Sequence, residues 1–542
     1  MKAIKKVLSI LLTLCLVISI AGCAKEEATK TTETGGTESV TKKDSSKKSS
    51  QTDSKDEISS KGDHPYWVSD KLVTLSYFEM SASPWKDDTP VAKKITEMTN
   101  VMLKGSISQS QTDEKQAYSL MIASGQIPDI VHYSNRDELF KHGAEGAFLV
   151  LNDLIKKHAP NIQKYIDEDP EIRKAISDME GNIYYVPQIR DGITAQGYYI
   201  REDWLKNLGL EVPTTVDELY KVLVAFRDND ANGNGNSSDE VPYFSRNTKT
   251  MRTDLVRLFD AYPDIYLDGN QYKYGPIEEN FKTAISNLSK WYDEGLIDQE
   301  VFTRGGSSRD IMLNDNLGGM THDWFGSTAS YNDRLKDSIE GFSWQPMLPP
   351  ATLSGKIIEG TSRSRGLHAG SAISSQSKNT VEAIKFLDFC FSQAGRSLLN
   401  FGIEGEDYNL VDGKEIFNDS ILKAENGALG ALRKRGAQLE MAFHQDFEYE
   451  KQWANEIALK GMELYINADC IISPFPLVNY TDEENEKKAK LMSAINTYVD
   501  EKVQQWLLGV NNIDDEFEDF VAEVKAMGIE EVLEINTTAL NR

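Results

Sequence analysis

Residues 228–240, DNDANGNGNSSDE, combine residue types and spacing that suit metal binding. Oxygen-bearing side chains stand at alternate positions, glycine occupies the sixth place and a carboxylate the twelfth, as in an EF-hand-type calcium loop. Such a loop directs several hard oxygens at one ion, and glycine permits the sharp turn. The alternative is an asparagine- and glycine-rich hairpin turn without a metal. The predicted calcium ligands are Asp228, Asp230, Asn232, Asn234 through its backbone carbonyl, and Asp239 or Glu240, with Asn236 as the alternative residue that closes the sphere.

The elements that position this loop lie in residues 181–227, which predict a strand, a linker, a second strand and two capped helices. Gly209 suits a left-handed cap that ends the first helix. Thr215 and Glu218 have the T-x-x-E spacing of a capping box, and apolar residues then recur at helical spacing. The linker between the strands contains glycine but no periodicity. We therefore predict that it crosses between two lobes of an α/β fold.

The N-terminus predicts export and lipid attachment. Lys2, Lys5 and Lys6 precede an uncharged run at residues 7–20, which has the length of a signal-peptide core and is short for a membrane span. Small residues lead directly to Cys23, and this arrangement resembles the bacterial lipobox, in which the cysteine is acylated. The alternative is an ordinary secretory peptide that is cleaved nearby. Residues 1–22 are thus a predicted lipoprotein signal peptide that leaves the protein anchored on the extracytoplasmic face of the cell membrane.

Residues 23–63 predict a disordered tether. The segment is rich in Lys, Glu, Thr, Ser, Asp and Gly, and after the cysteine only Val40 and Ile58 are sizeable apolar residues. Such a composition cannot bury a core. A flexible spacer of this kind lets the following domain stand away from the membrane surface.

The remaining chain is large enough for two lobes and strongly acidic. The formal charge of −26 and the pI near 4.8 argue against nucleic acid or anionic lipid as a partner, because both require basic surfaces. After the signal peptide and Cys23, two cysteines are left. Cys390 and Cys470 have the option of pairing, but Cys390 lies in an apolar helical pattern and is expected to be a buried thiol.

Seven blocks of sequence follow one another along the mature chain: ASGQIPDIV, GAFLVLNDLIKKHAPN, GNIYYVPQ, YYIREDWLKNLGLEVPTTVDELYKVLVAF, NDNLGGMTHDWFGS, SAISSQSKNTVEAIKFLDFCFSQAGRSLLNFGIEGEDY and WLLGVNNIDDEFEDFVAEVKAMGIEEVLEI. In this order they resemble the family 1 extracellular solute-binding proteins of ABC importers. The last two are similar to the large lipoprotein branch that serves oligosaccharide importers, where a structural calcium loop follows the second helix. The loop at residues 228–240 is longer than the calcium loop of that branch. The resemblance implies a monomeric two-lobe Venus-flytrap (type II) fold that binds a sugar and docks on permease subunits.

The resemblance also implies how the chain divides between lobes. Residues 64–188 and about 357–420 are assigned to the first lobe, and about 189–356 and 421–542 to the second. Ligands of open α/β sheets lie outside the carboxyl ends of the strands, and aromatic faces there suit stacking on a sugar ring. For each tryptophan the alternative is core packing, and for each charged residue a surface salt bridge. The predicted ligand contacts are Trp85, Tyr133, Arg190, Tyr198, Trp324, Trp344, Arg363 and Glu404.

Two other classes of function remain open from the sequence. The seven histidines are scattered, and neither H-E-x-x-H nor G-x-S-x-G occurs, so the chain is not expected to be an enzyme. His322 and Asp323 beside Trp324 are the most catalytic-looking cluster, and a lipid-anchored glycan hydrolase would need two carboxylates facing one cleft. A ligand-loaded sensor that docks on a membrane receptor is the other alternative.

Overall fold

The computed structural model describes residues 65–81, 83–106, 113–360, 363, 370–472, 476 and 478–542. The predicted signal peptide, Cys23 and the tether lie outside these residues. Within the described part of the chain, no helix combines the length and apolar character needed to cross a bilayer.

The strands alternate with helices along most of the chain. They are β1 (Val73–Phe78), β2 (Val101–Gly105), β3 (Ile130–Tyr133), β4 (Tyr185–Pro187), β5 (Ile189–Arg190), β6 (Gln196–Arg201), β7 (Val241–Tyr243), β8 (Ile265–Asp268), β9 (Gln271–Tyr274), β10 (Gly318–Trp324), β11 (Trp344–Met347), β12 (Gly370–Ile373), β13 (Tyr408–Val411), β14 (Lys414–Phe417) and β15 (His444–Gln445).

The α-helices are α1 (Pro90–Thr99), α2 (Glu114–Ser124), α3 (Arg136–Ala144), α4 (Asn152–His158), α5 (Pro160–Glu168), α6 (Pro170–Ile176), α7 (Glu202–Leu208), α8 (Val216–Asp228), α9 (Thr248–Leu255), α10 (Glu279–Asp293), α11 (Ser308–Asn314), α12 (Phe325–Ala329), α13 (Tyr331–Leu335), α14 (Thr380–Phe391), α15 (Gln393–Phe401), α16 (Asp419–Leu422), α17 (Gly427–Arg435), α18 (Phe447–Trp453), α19 (Glu456–Asn467), α20 (Asp482–Leu507), α21 (Ile513–Ala526) and α22 (Ile529–Leu540). Short 3₁₀ turns cover Val256–Phe259, Gly275–Ile277 and Gly305–Ser307.

The first sheet has the strand order β2-β1-β3-β12-β4. Strand β1 runs parallel to β2 and β3, whereas β12 runs antiparallel to both β3 and β4. Strand β4 is therefore parallel to β3, and β1, β2, β3 and β4 all end at the same edge. Gly370 begins β12 at that edge, opposite Tyr133 on one side and Pro187 on the other.

The second sheet has the order β11-β6-β10-β7. Strand β6 is antiparallel to β10 and β11, and β7 is parallel to β10. Because Trp324 at the end of β10 pairs with Gln196 at the start of β6, the carboxyl ends of β10 and β7 lie where the chain enters this sheet. The predicted α/β class is confirmed.

Apolar side chains fill one core around the first sheet and one on each face of the second. Tyr198, Ile200 and Met320 face one core of the second sheet, while Tyr199 and Trp344 face the other. The first core extends as far along the chain as Tyr449, and Ala454 belongs to a core of the second sheet. We therefore propose to move the predicted lobe boundary from about 420 to the segment between these two residues.

The helix ends around the predicted hinge follow the sequence signals closely. Gly209 adopts a left-handed conformation, with φ at 66°, and ends α7. The Thr215 side chain accepts a hydrogen bond from the backbone N–H of Glu218, as a capping residue does. The reciprocal bond of a capping box is displaced by one residue, because the Glu218 carboxylate accepts from the N–H and hydroxyl of Thr214. Cys390 and Cys470 are both buried free thiols, so they do not pair.

Candidate functional site

The carboxyl edges of the two sheets meet the same stretch of chain. Strand β4 ends at Pro187, and after eight residues β6 begins at Gln196. Within this crossing segment (residues 188–195), the carbonyl of Ala195 accepts a hydrogen bond of 2.8 Å from the N–H of Phe325, which directly follows β10. Side chains that follow β1, β3, β7 and β10 are therefore gathered along the crossing segment, where ligands of α/β sheets bind.

At the edge of the first sheet, Glu79 follows β1 and is buried. Burial raises the pKa of its carboxyl from the ordinary value to about 7. Its Oε2 accepts a hydrogen bond of 3.0 Å from the N–H of Trp85, and its Oε1 has no partner among the described residues. Trp85 was predicted to contact ligand, but its ring is buried in the first core and its indole N–H donates to the carbonyl of Leu103 at 3.0 Å. Packing is its role in this conformation.

An ion pair lies beside this carboxyl at the start of the crossing segment. Arg190 Nη2 donates to Glu440 Oε2 at 2.9 Å and also to the side-chain oxygen of Gln188 at 3.2 Å. Burial alone would raise the pKa of Glu440, but the positive charges of Arg190 and Arg433 and a hydrogen bond from Gln188 help to outweigh it, so the net shift is downward. The predicted contact residue Arg190 therefore lies at the cleft edge with its charge balanced by one carboxylate.

Tyr133 ends β3 at the same edge, as predicted, but its ring is largely covered. It stacks on Tyr118 of α2 with the ring centroids 3.7 Å apart and the planes 3° from parallel. Tyr133 as a whole is buried. The face that the sequence analysis assigned to a sugar is thus occupied by another ring.

The edge of the second sheet carries a network of two arginines on one aspartate. Arg246, which follows β7, donates through Nε and Nη2 to the two carboxylate oxygens of Asp323 at 2.9 and 3.0 Å. Arg309 Nη1 donates to the same carboxylate at 3.2 Å and to the hydroxyls of Ser327 and Thr328. Two guanidinium groups on one buried carboxylate leave a formal charge of +1.

Trp324 is the exposed aromatic residue of this edge. It follows Asp323 at the end of β10, donates its backbone N–H to that carboxylate at 2.7 Å, and leaves 44 % of its own surface exposed. An indole face fixed at a strand end and open to solvent is suited to stacking on an apolar ring face. Among the predicted aromatic contacts, this one has the accessible surface that binding requires.

Tyr198 and His322 lie behind this edge and are buried. The Tyr198 hydroxyl donates to the carbonyl of Asp254, and its ring packs edge-on against His322. His322 lies between the carboxylates of Asp254 and Glu359, at 3.3 and 3.0 Å. Burial opposes its charge, but the two carboxylates outweigh burial and raise the pKa of His322 well above its ordinary value. His322 and Asp323 thus serve separate ion pairs and do not form a catalytic pair.

Three further predicted contacts need correction. Trp344 is completely buried and stacks on Tyr199, because it pairs with Arg201 at the end of β6 opposite to Gln196. Arg363 donates to the carbonyl of Asp191 and to the Glu450 carboxylate, so it fastens the crossing segment to α18. Glu404 is exposed, and its backbone bridge leads to Tyr408 at the start of the hairpin β13–β14. None of the three is retained as a proposed ligand contact.

Sequence reasoning missed Glu79, Arg246 and Arg309. Arg246 could have been predicted from its position just after a strand, because the β-rich run VPYF shortly precedes it. Trp324 was predicted from the end of a longer strand in the same way. Arg309 gives no local signal, because it belongs to α11 and joins Asp323 only through folding. Glu79 follows a recognised strand, but its burial depends on the loop that carries Trp85.

The predicted calcium loop folds around the carboxylate of Asp230. Asp230 Oδ2 accepts a hydrogen bond of 2.9 Å from the N–H of Gly235, which has a φ of 90°. Counted from Asp230, this glycine occupies the sixth position, so the register is shifted by two residues from the predicted one. Asp228 lies outside this arrangement because Arg227 donates to both of its carboxylate oxygens, at 2.7 and 3.0 Å.

Three buried side-chain oxygens in or beside the loop have no partner among the described residues. Asp230 Oδ1, Glu240 Oε2 and Asn316 Oδ1 are buried and accept no hydrogen bond from the described residues. Asn316 adjoins the loop, since its carbonyl accepts from the side chain of Asn232 at 3.2 Å. Burial raises the pKa of Glu240. Among the described residues, no group of three or more Asp, Glu, His or Cys side chains is arranged so that it could hold a metal ion.

Comparison with known proteins places the chain in a family. The model described as "Bacterial extracellular solute-binding protein" matches residues 106–397. The fructooligosaccharide ABC transporter substrate-binding protein FusA of Streptococcus pneumoniae serotype 4 is 28% identical over 494 residues, which cover 84% of this chain and 88% of FusA.

Two solved structures share the fold. The structure of the alginate-binding protein AlgQ2 without calcium ion superposes with a TM-score of 0.83 at 37% identity, covering 88% of this chain and 100% of that one. The S. pneumoniae FusA EF-hand mutant in complex with fructo-nystose gives a TM-score of 0.72 at 24% identity, with coverages of 86% and 99%. The predicted two-lobe Venus-flytrap fold is confirmed. Because the family match spans more than half of the 542 residues, this protein belongs to the bacterial extracellular solute-binding proteins, a family of binding proteins and not of enzymes.

Proposed function

We propose that this protein captures an oligosaccharide between its two lobes and delivers it to the permease subunits of an ABC importer. The observation that carries the proposal is the edge of the second sheet, where the exposed ring of Trp324 stands beside the fixed Arg246–Asp323 pair. A sugar presents apolar C–H faces and hydroxyl groups, which match an aromatic face and charged hydrogen-bonding groups respectively.

The relatives support the same class of ligand. AlgQ2 is described as alginate-binding and FusA as fructooligosaccharide-binding, and both resemble this chain over more than four fifths of its length. The sugars named for them differ, so the relatives support an oligosaccharide without fixing its identity.

Binding is expected to close the two lobes on the ligand. A ligand that contacts both edges has more contacts in the closed conformation, and therefore shifts the population toward it. The crossing segment absorbs the change, with Gly192 at a φ of 109°, which disfavours other residues. Arg363 packs against this glycine and donates to the carbonyl of Asp191 in the same segment.

Calorimetric titration of the purified residues 65–542 with a panel of oligosaccharides tests the proposal. The panel contains fructans, glucans, mannans and uronate oligomers. We expect stoichiometric binding of at least one member, no change of the sugar during incubation, and a shorter distance between spin labels on the exposed residue Lys157 and the partly exposed residue Asn287. Binding with turnover would contradict a pure binding role, and the absence of binding across the panel would contradict the ligand class.

We propose that the loop after α8 holds a structural calcium ion. The ion would be held by Asp230, Asn232, Asn234, Asp239 and Glu240, with Asn316 beside them. Asp228 is not among the proposed ligands. The proposal rests on the unpartnered buried oxygens of Asp230, Glu240 and Asn316, because buried oxygens without donors are costly unless a cation or water satisfies them. A bound calcium ion would supply the positive charge that fixes this loop against β10. A solved structure of an EF-hand mutant of FusA indicates that this relative has such a loop, which supports the same assignment.

Thermal unfolding with and without calcium tests this site. Calcium at 100 times its dissociation constant stabilises the folded state by about 2.7 kcal/mol, so we expect EDTA to lower the melting temperature and added calcium to restore it. Asp230→Asn should abolish the response. Asp228→Asn is the matched control, since the Asp228 carboxylate is paired with Arg227, and it should keep the response. If both variants lost the response to calcium equally, Asp228 would be a ligand, as the register predicted from the sequence requires.

We propose that Cys23 carries the lipid anchor. The supporting observation is the sequence alone, because this residue lies outside the described part of the chain. Labelled palmitate should be incorporated into the full-length protein in its host and recovered with the membrane fraction. Cys23→Ser should lose both the label and the membrane association, and an unlabelled wild-type protein would refute the proposal.

A further inference from the structure

The charge of the second-sheet edge is unusual for this protein. The chain as a whole carries a formal charge of −26, yet Arg246 and Arg309 share the single carboxylate of Asp323. Exposed charges farther away than about 8 Å are largely screened at physiological ionic strength, so the local balance decides what binds here. That balance is one positive charge in excess.

Asp323 has no capacity left to neutralise this excess. Its two oxygens already accept from Arg246, from Arg309 and from the backbone N–H of Trp324. The residue is 3 % exposed, and its position is fixed by the ladder between β10 and β6. Among the other acidic groups nearby, Asp254 and Glu359 lie on either side of the charged His322, and Asp310 contacts the hydroxyl of Tyr331 and faces Arg334 at 3.8 Å. Asp310 is therefore balanced by an arginine of its own.

Two buried hydrogen-bond donors at this edge lack partners among the described residues, and Arg246 itself is partly exposed. The hydroxyl of Ser245, directly before Arg246, is buried and makes no hydrogen bond within the described part of the chain. The Nε of Arg309 is likewise buried and unpartnered. The side chain of Arg246 keeps 34 % of its surface exposed while Nε and Nη2 hold Asp323. The two buried donors are closed to a ligand in this conformation, so the partly exposed side chain of Arg246 is the group that an incoming anionic oxygen can reach.

We propose that this edge is a carboxylate subsite, and that the protein selects oligosaccharides containing uronic acid residues. A uronate carboxylate meets the guanidinium of Arg246 while the sugar ring that bears it lies on the face of Trp324. A guanidinium binds a carboxylate through charged, paired hydrogen bonds, which neutral sugar hydroxyls do not match. This inference rests on the proposed function, since it names the ligand class of the same cleft.

Matched pairs of ligands test it. Trigalacturonate, trimannuronate and triglucuronate are each compared by calorimetry with the neutral trisaccharide obtained by reducing their carboxyl groups. For at least one pair we expect the acidic form to bind about 10- to 100-fold more tightly than its neutral form, as for a hydrogen bond to a charged group. The preference should weaken as the salt concentration rises.

Two variants distinguish the subsite from a general effect of charge. Arg246→Gln removes the exposed guanidinium and leaves Asp323 paired with Arg309, so the variant should fold and bind acidic and neutral forms about equally. Arg334→Gln removes the same charge from a half-exposed residue nearby and should keep the preference. Circular dichroism and melting temperature confirm that both variants are folded.

Each outcome separates the inference from the proposed function. If acidic and neutral forms bind wild type equally, or if Arg246→Gln keeps the preference, the carboxylate subsite is refuted. If only neutral sugars such as fructans bind, the subsite is refuted and the proposed function stands. If no saccharide of the panel binds, both are refuted.

Discussion

At the edge of the first sheet charged groups are balanced one to one, whereas at the edge of the second sheet two arginines share one aspartate. At the first edge, Arg190 pairs with Glu440, and the ring of Tyr133 stacks on the ring of Tyr118. In the second, Trp324 is exposed, and Asp323, which the two arginines share, is buried. Both edges arise from the same arrangement of strand ends, so the architecture gives a place for a ligand and the side chains decide what each half contributes. We infer that the second edge discriminates between ligands and the first mainly encloses them.

The largest expected difference concerns the buried network. Asp323→Asn leaves Arg246 and Arg309 close together without their carboxylate, and removing one partner of a buried ion pair costs about 3–5 kcal/mol. Urea unfolding should show a loss of this size. The control is Asp310→Asn, an exposed aspartate of the same region, which should cost less than about 1 kcal/mol. Similar small losses in both variants would mean that the second edge does not depend on its network.

A pH-dependent difference is expected at the first edge. Burial raises the pKa of Glu79 from 4.5 to about 7, so the protonated form is favoured in the folded state. Its contribution to stability is complete below pH 4.5 and is lost as the pH rises through 7, a change of roughly 3 kcal/mol. Glu79→Gln removes this loss. In urea unfolding, the free energy of unfolding of the variant relative to wild type should therefore rise from pH 4.5 to pH 8.

The exposed Glu97 supplies the control for that series. Glu97→Gln should follow wild type at each pH, because its carboxylate lies on the outer surface of α1. A constant difference between Glu79→Gln and wild type across the series would show that Glu79 is ionised throughout, and that the first edge carries an unbalanced negative charge.

A smaller effect should separate the two edges in binding. Trp324→Ala removes the stacking face and should weaken sugar binding by about 0.5–1.5 kcal/mol, with little change in melting temperature. Tyr66→Ala, which removes another exposed ring that contacts Phe389 of the first core, should leave affinity unchanged. Calorimetry with the ligand identified from the panel measures both. Unchanged affinity in Trp324→Ala would place the sugar elsewhere along the cleft.

The smallest expected effect is at the Arg190–Glu440 pair. Its side chains are 25 and 28 % exposed, so Glu440→Gln should cost no more than about 1 kcal/mol in urea unfolding, and less at high salt. A loss as large as that of Asp323→Asn would remove the contrast between the edges.

The sequence by itself determined the features whose residues are neighbours along the chain. The loop at 228–240 could be recognised because its oxygens stand at fixed short spacings, although its register changed when Asp230, and not Asp228, turned toward Gly235. The caps at Gly209 and Thr215 are local for the same reason. The order of family-like blocks predicted the two-lobe fold, which the solved relatives confirm.

Only the tertiary structure decided which strand ends face the cleft. Trp324 and Trp344 look alike in sequence, each beside a short strand, but antiparallel pairing places them at opposite ends of β6, opposite Gln196 and Arg201 respectively. One is exposed and the other completely buried. Arg246 and Arg309 meet Asp323 because β7 lies parallel to β10 and α11 leads into it. Strand order and direction are long-range properties of the fold, and local spacing carries no record of them.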